Sequence, residues 1–102
     1  MRDTILESLM KALSAFQGDL QVEREEGAIV RLCFTLLPAP DSVGPEREKW
    51  FNEYMFLICI FQEMQIQERG FDLCYGGVSG KVELISTARA KRIRTLNAAL
   101  AK

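Results

Sequence analysis

The segment WFNEYMFLICIF, residues 50–61, decides the fold, because it places a block of aromatic and aliphatic side chains in the middle of the chain. The stretch from Glu46 to Glu68 around it contains no Gly, Pro or turn signal, and strands are seldom that long. We therefore predict a helix that Gly70 stops. The alternative is a strand over residues 56–61, because a short apolar run does not by itself distinguish the two structures.

A helical wheel divides this block into two faces. One face is a regular apolar stripe suited to cover a sheet, formed by Trp50, Tyr54, Leu57, Phe61 and Met64. A second apolar set falls largely on the opposite side and consists of Met55, Phe56, Cys59, Ile60 and Ile66. Neighbouring helices could cover this second set. Because so small a domain rarely encloses a central helix, we predict instead that the second set is a partner interface.

Before the central helix, the sequence predicts a helix and a hairpin. Thr4 opens a capping box at the start of an amphipathic pattern, and Gly18 is placed to end that helix. Alternation predicts a strand around residues 20–23, and residues 28–36 are rich in strand-forming side chains. The polar residues 24–27 between them predict the turn of a hairpin.

A loop with all three prolines, residues 38–45, leads into the central helix. After Gly70, the runs 71–75 and 81–85 predict a second hairpin with a glycine-rich turn at residues 76–80. This turn lacks the spacing of a phosphate-binding loop and leads into a strand, so we interpret it as a plain hairpin turn.

Ser86 or Thr87 can cap a last helix, whose apolar stripe is Ile93, Leu96 and Leu100. The order α-β-β-α-β-β-α predicts one α+β domain over residues 1–102, with a four-stranded antiparallel sheet covered by helices mainly on one face. The length of 102 residues, with 48% hydrophobic content, suits one core.

The chain starts in an amphipathic pattern with no basic and apolar leader. Its longest apolar run is also far shorter than a membrane helix requires. We therefore expect a cytoplasmic protein without membrane contact. Three widely spaced cysteines lie among apolar residues, and we interpret Cys33, Cys59 and Cys74 as buried, reduced thiols.

The chain has no histidine, which removes the usual general base near neutral pH and the commonest metal ligand. We therefore predict no catalytic residues, no cofactor and no metal site. An enzyme that acts through carboxylates alone is an open alternative, although no pair of Asp and Glu residues stands out by its spacing.

Charge is distributed unevenly along the chain. Residues 1–70 carry seven Lys/Arg against twelve Asp/Glu, a net of −5, whereas residues 71–102 carry six against two, a net of +4. A candidate acidic partner surface at the first hairpin tip consists of Glu23, Glu25 and Glu26. A candidate anion or nucleic-acid contact consists of Lys81, Arg89, Lys91, Arg92 and Arg94. Both sets also have the ordinary interpretation of solvated surface, since no aromatic side chains interleave the basic set.

By elimination, these features favour a non-catalytic protein–protein interaction protein that is homodimeric. Examples of this class are a small bacterial or phage inhibitor, an immunity protein and a chaperone-like adaptor. The alternative is a nucleic-acid-binding module that uses the basic last helix.

Overall fold

A computed structural model describes residues 3–41, 43–76 and 79–100 of the chain. Within these ranges the elements, in chain order, are α1 (Asp3–Leu13), β1 (Gly18–Glu25), β2 (Ala28–Leu36), α2 (Pro45–Gln67), β3 (Phe71–Gly76), β4 (Lys81–Ser86) and α3 (Thr87–Leu100). The predicted order and the α+β class are confirmed. The alternative of a strand over residues 56–61 is wrong, because those residues lie in α2. The predicted loop residues Ser42, Gly77 and Val78 lie outside the described residues.

The two hairpins join through their second strands, so the sheet order is β1-β2-β4-β3 with every neighbouring pair antiparallel. A tight turn at Glu26 and Gly27 closes the first hairpin. Both residues have positive φ, 51° and 82°, which is the backbone of a type I′ turn. The strands β2 and β4 are central, and β1 and β3 form the two edges of the sheet.

The core lies between one face of the sheet and the helices α1 and α2. The sheet contributes the alternate, buried side chains of its central strands, among them Leu32, Phe34, Val82 and Leu84. The helix α1 contributes Leu6, Leu9 and Leu13, and all five residues of the stripe predicted for α2 are buried. Burying one Leu or Phe side chain stabilises the fold by about 1.5–3 kcal/mol relative to its exposure, so this layer supplies most of the stability.

Two side chains on the buried face of α2 hold the helix over the sheet through hydrogen bonds from their polar groups. The indole Nε1 of Trp50 donates a hydrogen bond to the carbonyl oxygen of Leu37 (2.7 Å). The hydroxyl of Tyr54 donates to the carbonyl oxygen of Lys81 and accepts from the backbone N–H of Gly76 (3.1 Å each). Although α2 is 23 residues long, no helix of the described chain combines the length and apolarity needed to cross a membrane.

The structure corrects two predictions at α1. The helix begins at Asp3, so Thr4 lies inside its first turn and does not cap it. The helix ends at Leu13, and Gly18 opens β1 instead of terminating the helix. A Cβ atom at Gly18 would collide with the carbonyl oxygen of Thr35 and the ring of Phe34. Glycine is therefore required there by the close approach of β1 to β2.

Candidate interaction surfaces

The outward side of α2 carries a continuous stripe, which we call the α2 stripe, formed by Phe51, Met55, Cys59, Gln62 and Ile66. Successive members are four, four, three and four residues apart, which keeps them within about 80° of the helix circumference at about 100° per residue. Met55 is 59% exposed and Ile66 is 75% exposed. Four of the five side chains are apolar or a thiol, so the stripe is an exposed apolar surface about 22 Å long at about 1.5 Å per residue.

The interface set predicted from the sequence divides between this stripe and the side of α2 that faces α1. Met55 and Ile66 belong to the stripe, and so does Cys59, which lies at its margin and also lines the groove between α1 and α2. Phe56 is also exposed, but its ring centroid lies 6.0 Å from that of Phe16. Ile60 is half-buried against the core and lines a groove of about 370 Å³ between α1 and α2. A charged substitution at Ile60 would therefore perturb the core as well as the surface.

Phe51 is the apolar member of the stripe that the sequence prediction missed, in addition to the polar Gln62. Its position four residues before Met55 was the available signal. The Phe51 ring packs edge-on against Trp50 at 5.2 Å between centroids, and the guanidinium of Arg47 lies 6.0 Å from its centroid. Beside it is an open hollow of about 560 Å³, lined by Val43, Gly44, Pro45, Arg47, Glu48, Phe51 and Asn52.

The helix α3 does not lie beside α2, as it would have to in order to cover the second apolar set. It contacts β3 and β4, and none of its residues is buried. The predicted apolar stripe of α3 is exposed to different degrees: Ile93 by 41%, Leu96 by 59% and Leu100 by 74%. The predicted helix is confirmed, but its apolar stripe is not part of the core, although the stripe has the spacing of core residues.

The two charged sets predicted as separate surfaces bind each other within the chain. Arg89 donates to Glu23 at 2.6 Å, and Arg92 donates to Glu25 at 3.1 Å. The hydrogen bond from Arg89 holds the pKa of the Glu23 carboxyl below its ordinary value of 4.5, and the same bond raises the pKa of Arg89. These pairs attach the first turns of α3 to the edge strand β1. Glu26 lies apart from them in the hairpin turn.

The remaining basic residues do not converge on one site. Lys81 starts β4, whereas α3 starts after β4 ends, and about 20 Å of extended chain separates Lys81 from the start of α3 at about 3.3 Å per residue. Lys91 lies beside Arg92 and Leu96 on the outer surface of α3, and Arg94 is exposed on the same helix. The structure therefore spreads this set over two regions.

The cysteine prediction needs correction for two of the three residues. Cys33 is buried on β2, but Cys59 and Cys74 are exposed. The prediction failed because the apolar neighbours of Cys59 and Cys74 alternate between the two sides of a helix or strand, and these thiols lie on the outer side. Over the described residues, no group of three or more Cys, Asp and Glu side chains is arranged to hold a metal ion.

Comparison with known proteins gives no significant match to a family model, to a characterised protein or to a solved structure.

Proposed function

We propose that this chain is a non-catalytic protein-interaction protein that forms a homodimer through the α2 stripe. The observation that carries the proposal is the exposure of Phe51, Met55 and Ile66 along one side of the central helix. Apolar side chains that share a contiguous surface mark interaction sites. The absence of histidine supports a binding role over acid–base chemistry near neutral pH.

The α2 stripe is self-complementary when two copies run antiparallel. Cys59 lies about 12 Å along the helix axis from Phe51 and about 10.5 Å from Ile66, at about 1.5 Å per residue. A twofold axis near Cys59 therefore places Phe51 of one copy beside Ile66 of the second copy. Such an isologous contact uses the same patch twice, as closed dimers do.

Shape and charge at the two ends of the stripe favour the same arrangement. Ile66 is 75% exposed, and the antiparallel copy offers it the hollow beside Phe51. Glu48 and Arg69 are exposed beyond opposite ends of the stripe. Antiparallel pairing brings each Glu48 near the Arg69 of the second copy, whereas parallel pairing would place like charges together.

The nucleic-acid alternative has weaker support. Arg89 and Arg92, two of its candidate contacts, already donate to Glu23 and Glu25. A phosphate backbone would have to replace those carboxylates, and Lys81 is too far away to share one site with them. We therefore place the interaction function on α2.

Cross-linking through the native thiol of Cys59 tests the proposal. In a Cys74→Ser background, we expect a short bismaleimide to capture a covalent dimer, because the two Cys59 side chains meet at the axis. Cys33 is buried, so the Cys59→Ser variant is the control without a reactive site. If the cross-linker captures no dimer at protein concentrations well above micromolar, the result contradicts the interface.

A matched pair of methionine variants separates interface from general surface. Met55→Glu places a charge within the stripe, one turn from the proposed axis at Cys59, and should abolish capture. Met10→Glu makes the same change at a methionine of α1 that is 52% exposed and lies outside the stripe, and it should leave capture unchanged. Equal behaviour of the two variants would contradict the proposal.

A further inference from the structure

The two edges of the sheet are protected very differently. The edge strand β1 carries a register shift between Glu23 and Arg24 and four charged residues, Asp19, Glu23, Arg24 and Glu25. The edge strand β3 has one charged residue, Asp72, whose carboxylate accepts a hydrogen bond from the Thr87 hydroxyl (2.9 Å). Bulges and charges are the usual means of blocking edge-to-edge pairing, so β1 is blocked and β3 is open.

The hydrogen-bond pattern shows which groups of β3 face outward. The N–H of Thr87 donates to the carbonyl oxygen of Gly70 (2.8 Å). In an antiparallel pair the bonds alternate, so Asp72 and Cys74 bond to β4 while Phe71, Leu73 and Tyr75 present their N–H and C=O groups to the open side. There the Phe71 carbonyl also accepts a hydrogen bond from Gln65. These outward groups form a short template for another strand.

Two contacts between α2 and β3 show which residues of the α2 stripe lie beside these outward groups of β3. The Tyr54 hydroxyl bonds to Gly76, and the Gln65 amide donates to the carbonyl oxygen of Phe71 (3.2 Å). Eleven helical residues and five strand residues each span about 16.5 Å, so α2 and β3 run alongside each other in opposite directions. Leu73 then lies within about 3 Å of the level of Cys59 along the helix.

We propose that β3 strands of two copies pair antiparallel about the axis that relates the two α2 stripes, with Leu73 opposite Leu73 of the second copy. The result is a continuous eight-stranded sheet across the dimer. This inference rests on the proposed dimer and specifies its second contact.

The sideways distance between α2 and β3 allows a single twofold axis to bring together both the two α2 stripes and the two β3 strands. The helix α2 contacts both β3 and β4, which places it above the line between them. Paired strands lie about 4.8 Å apart, so a helix in that position lies about 5 Å from the axis between two β3 strands. The two α2 helices would then be about 10 Å apart, which is within the range of packed helices.

Burial at the edge gives a reason for the second copy to bind. Leu73 and Tyr75 pair with Leu84 and Val82, so their side chains lie on the same face of the sheet as the core. Leu73 is only partly buried and Tyr75 is 54% exposed. A strand added beside β3 would cover this side of the core.

Amide hydrogen exchange measured by NMR tests the strand pairing. We expect the amides of Leu73 and Tyr75 to exchange at least tenfold more slowly in the native dimer than in the Met55→Glu monomer. The outward amides of β1 are the internal control and should exchange alike in both proteins. A native dimer whose Leu73 and Tyr75 amides exchange as fast as in the monomer would overturn the strand pairing and leave the α2 dimer standing. A monomeric native protein would overturn both proposals.

A proline substitution gives a second readout on the same edge. Tyr75→Pro removes an outward N–H while leaving the bonds of Cys74 to β4, and proline is tolerated on edge strands. We expect this variant to dimerise at least tenfold more weakly than Tyr75→Ala, which keeps the N–H. If the two variants dimerise equally well, the β3 strands do not pair.

Discussion

The helices α2 and α3 both carry an apolar stripe at helical spacing, but the fold holds them by opposite means. The helix α2 is held by burial of Trp50, Tyr54, Leu57, Ile58, Phe61 and Met64, whereas α3 buries none of its residues and is attached by ion pairs at its first turns. The radius of gyration of 15.2 Å exceeds the value of about 13 Å for a compact chain of this length. An apolar stripe therefore predicts that a helix has an apolar side, but it does not predict whether another part of the chain packs against that side.

The largest expected effect comes from the buried side of α2. Phe61 is fully buried, and Phe61→Ala should lower the free energy of unfolding by about 3–5 kcal/mol, because the removed ring leaves a cavity. Urea unfolding at a fixed protein concentration measures this loss. A loss below about 1 kcal/mol would mean that α2 is not the helix on which the core depends.

An intermediate effect is expected from the Tyr54 hydroxyl on the buried face of α2. Tyr54→Phe removes the hydroxyl that bridges Gly76 and Lys81 and should cost about 1–3 kcal/mol, because two backbone groups lose their partner. The same urea experiment measures it. Met10→Leu, a change of similar volume on the exposed side of α1, should be close to neutral. Equal losses in the two variants would show that the bridge does not fix α2 to the second hairpin.

Acid should loosen α3 and leave α2 in place. The pKa of Glu23 is lowered below 4.5 by the hydrogen bond from Arg89, so the stabilisation from this pair is complete above that value and is lost as the pH falls through the lowered pKa. Carboxyl chemical shifts from NMR should report a Glu23 pKa that rises toward 4.5 in the Arg89→Gln variant. Stability should also fall less steeply from pH 5 to pH 3 in Glu23→Gln than in the native chain. An unchanged Glu23 pKa in Arg89→Gln would show that the pair does not form in solution.

The smallest effect is expected on the outer surface of α3. Leu96 is 59% exposed, so Leu96→Ala should change the free energy of unfolding by no more than about 0.5 kcal/mol. A loss of 2 kcal/mol or more, which is typical of a buried Leu, would show that α3 packs against the body of the protein in solution. The contrast between α2 and α3 would then fail.

Most of the fold was predictable from local patterns. The strand-forming side chains of residues 28–36 specified β2 with its bounds, and the spacing of Trp50 to Met64 specified the buried face of α2. The first prediction succeeds because β-branched and aromatic side chains favour strands, and the second because a helix must place its apolar side chains on one side to form a core. The role of Gly18 was not predictable, because it depends on the ring of Phe34 in another strand.

The surfaces were harder to predict, because exposure depends on which elements become neighbours. The pairing of Arg89 with Glu23 joins residues 66 positions apart, and no local pattern indicates it. Similarly, the exposure of Met55 follows from the placement of α3 away from α2. The sequence therefore identified the second apolar set of α2, but the division of that set between stripe and groove required the packing of α1.

The most direct test of the proposed dimer is the molar mass of the native chain in solution, measured by light scattering beside Met55→Glu and Met10→Glu. The native chain and Met10→Glu should have twice the 11.6 kDa of one chain, and Met55→Glu should be a folded monomer. A folded native monomer, or a Met55→Glu variant that is still dimeric, would contradict the interface on α2.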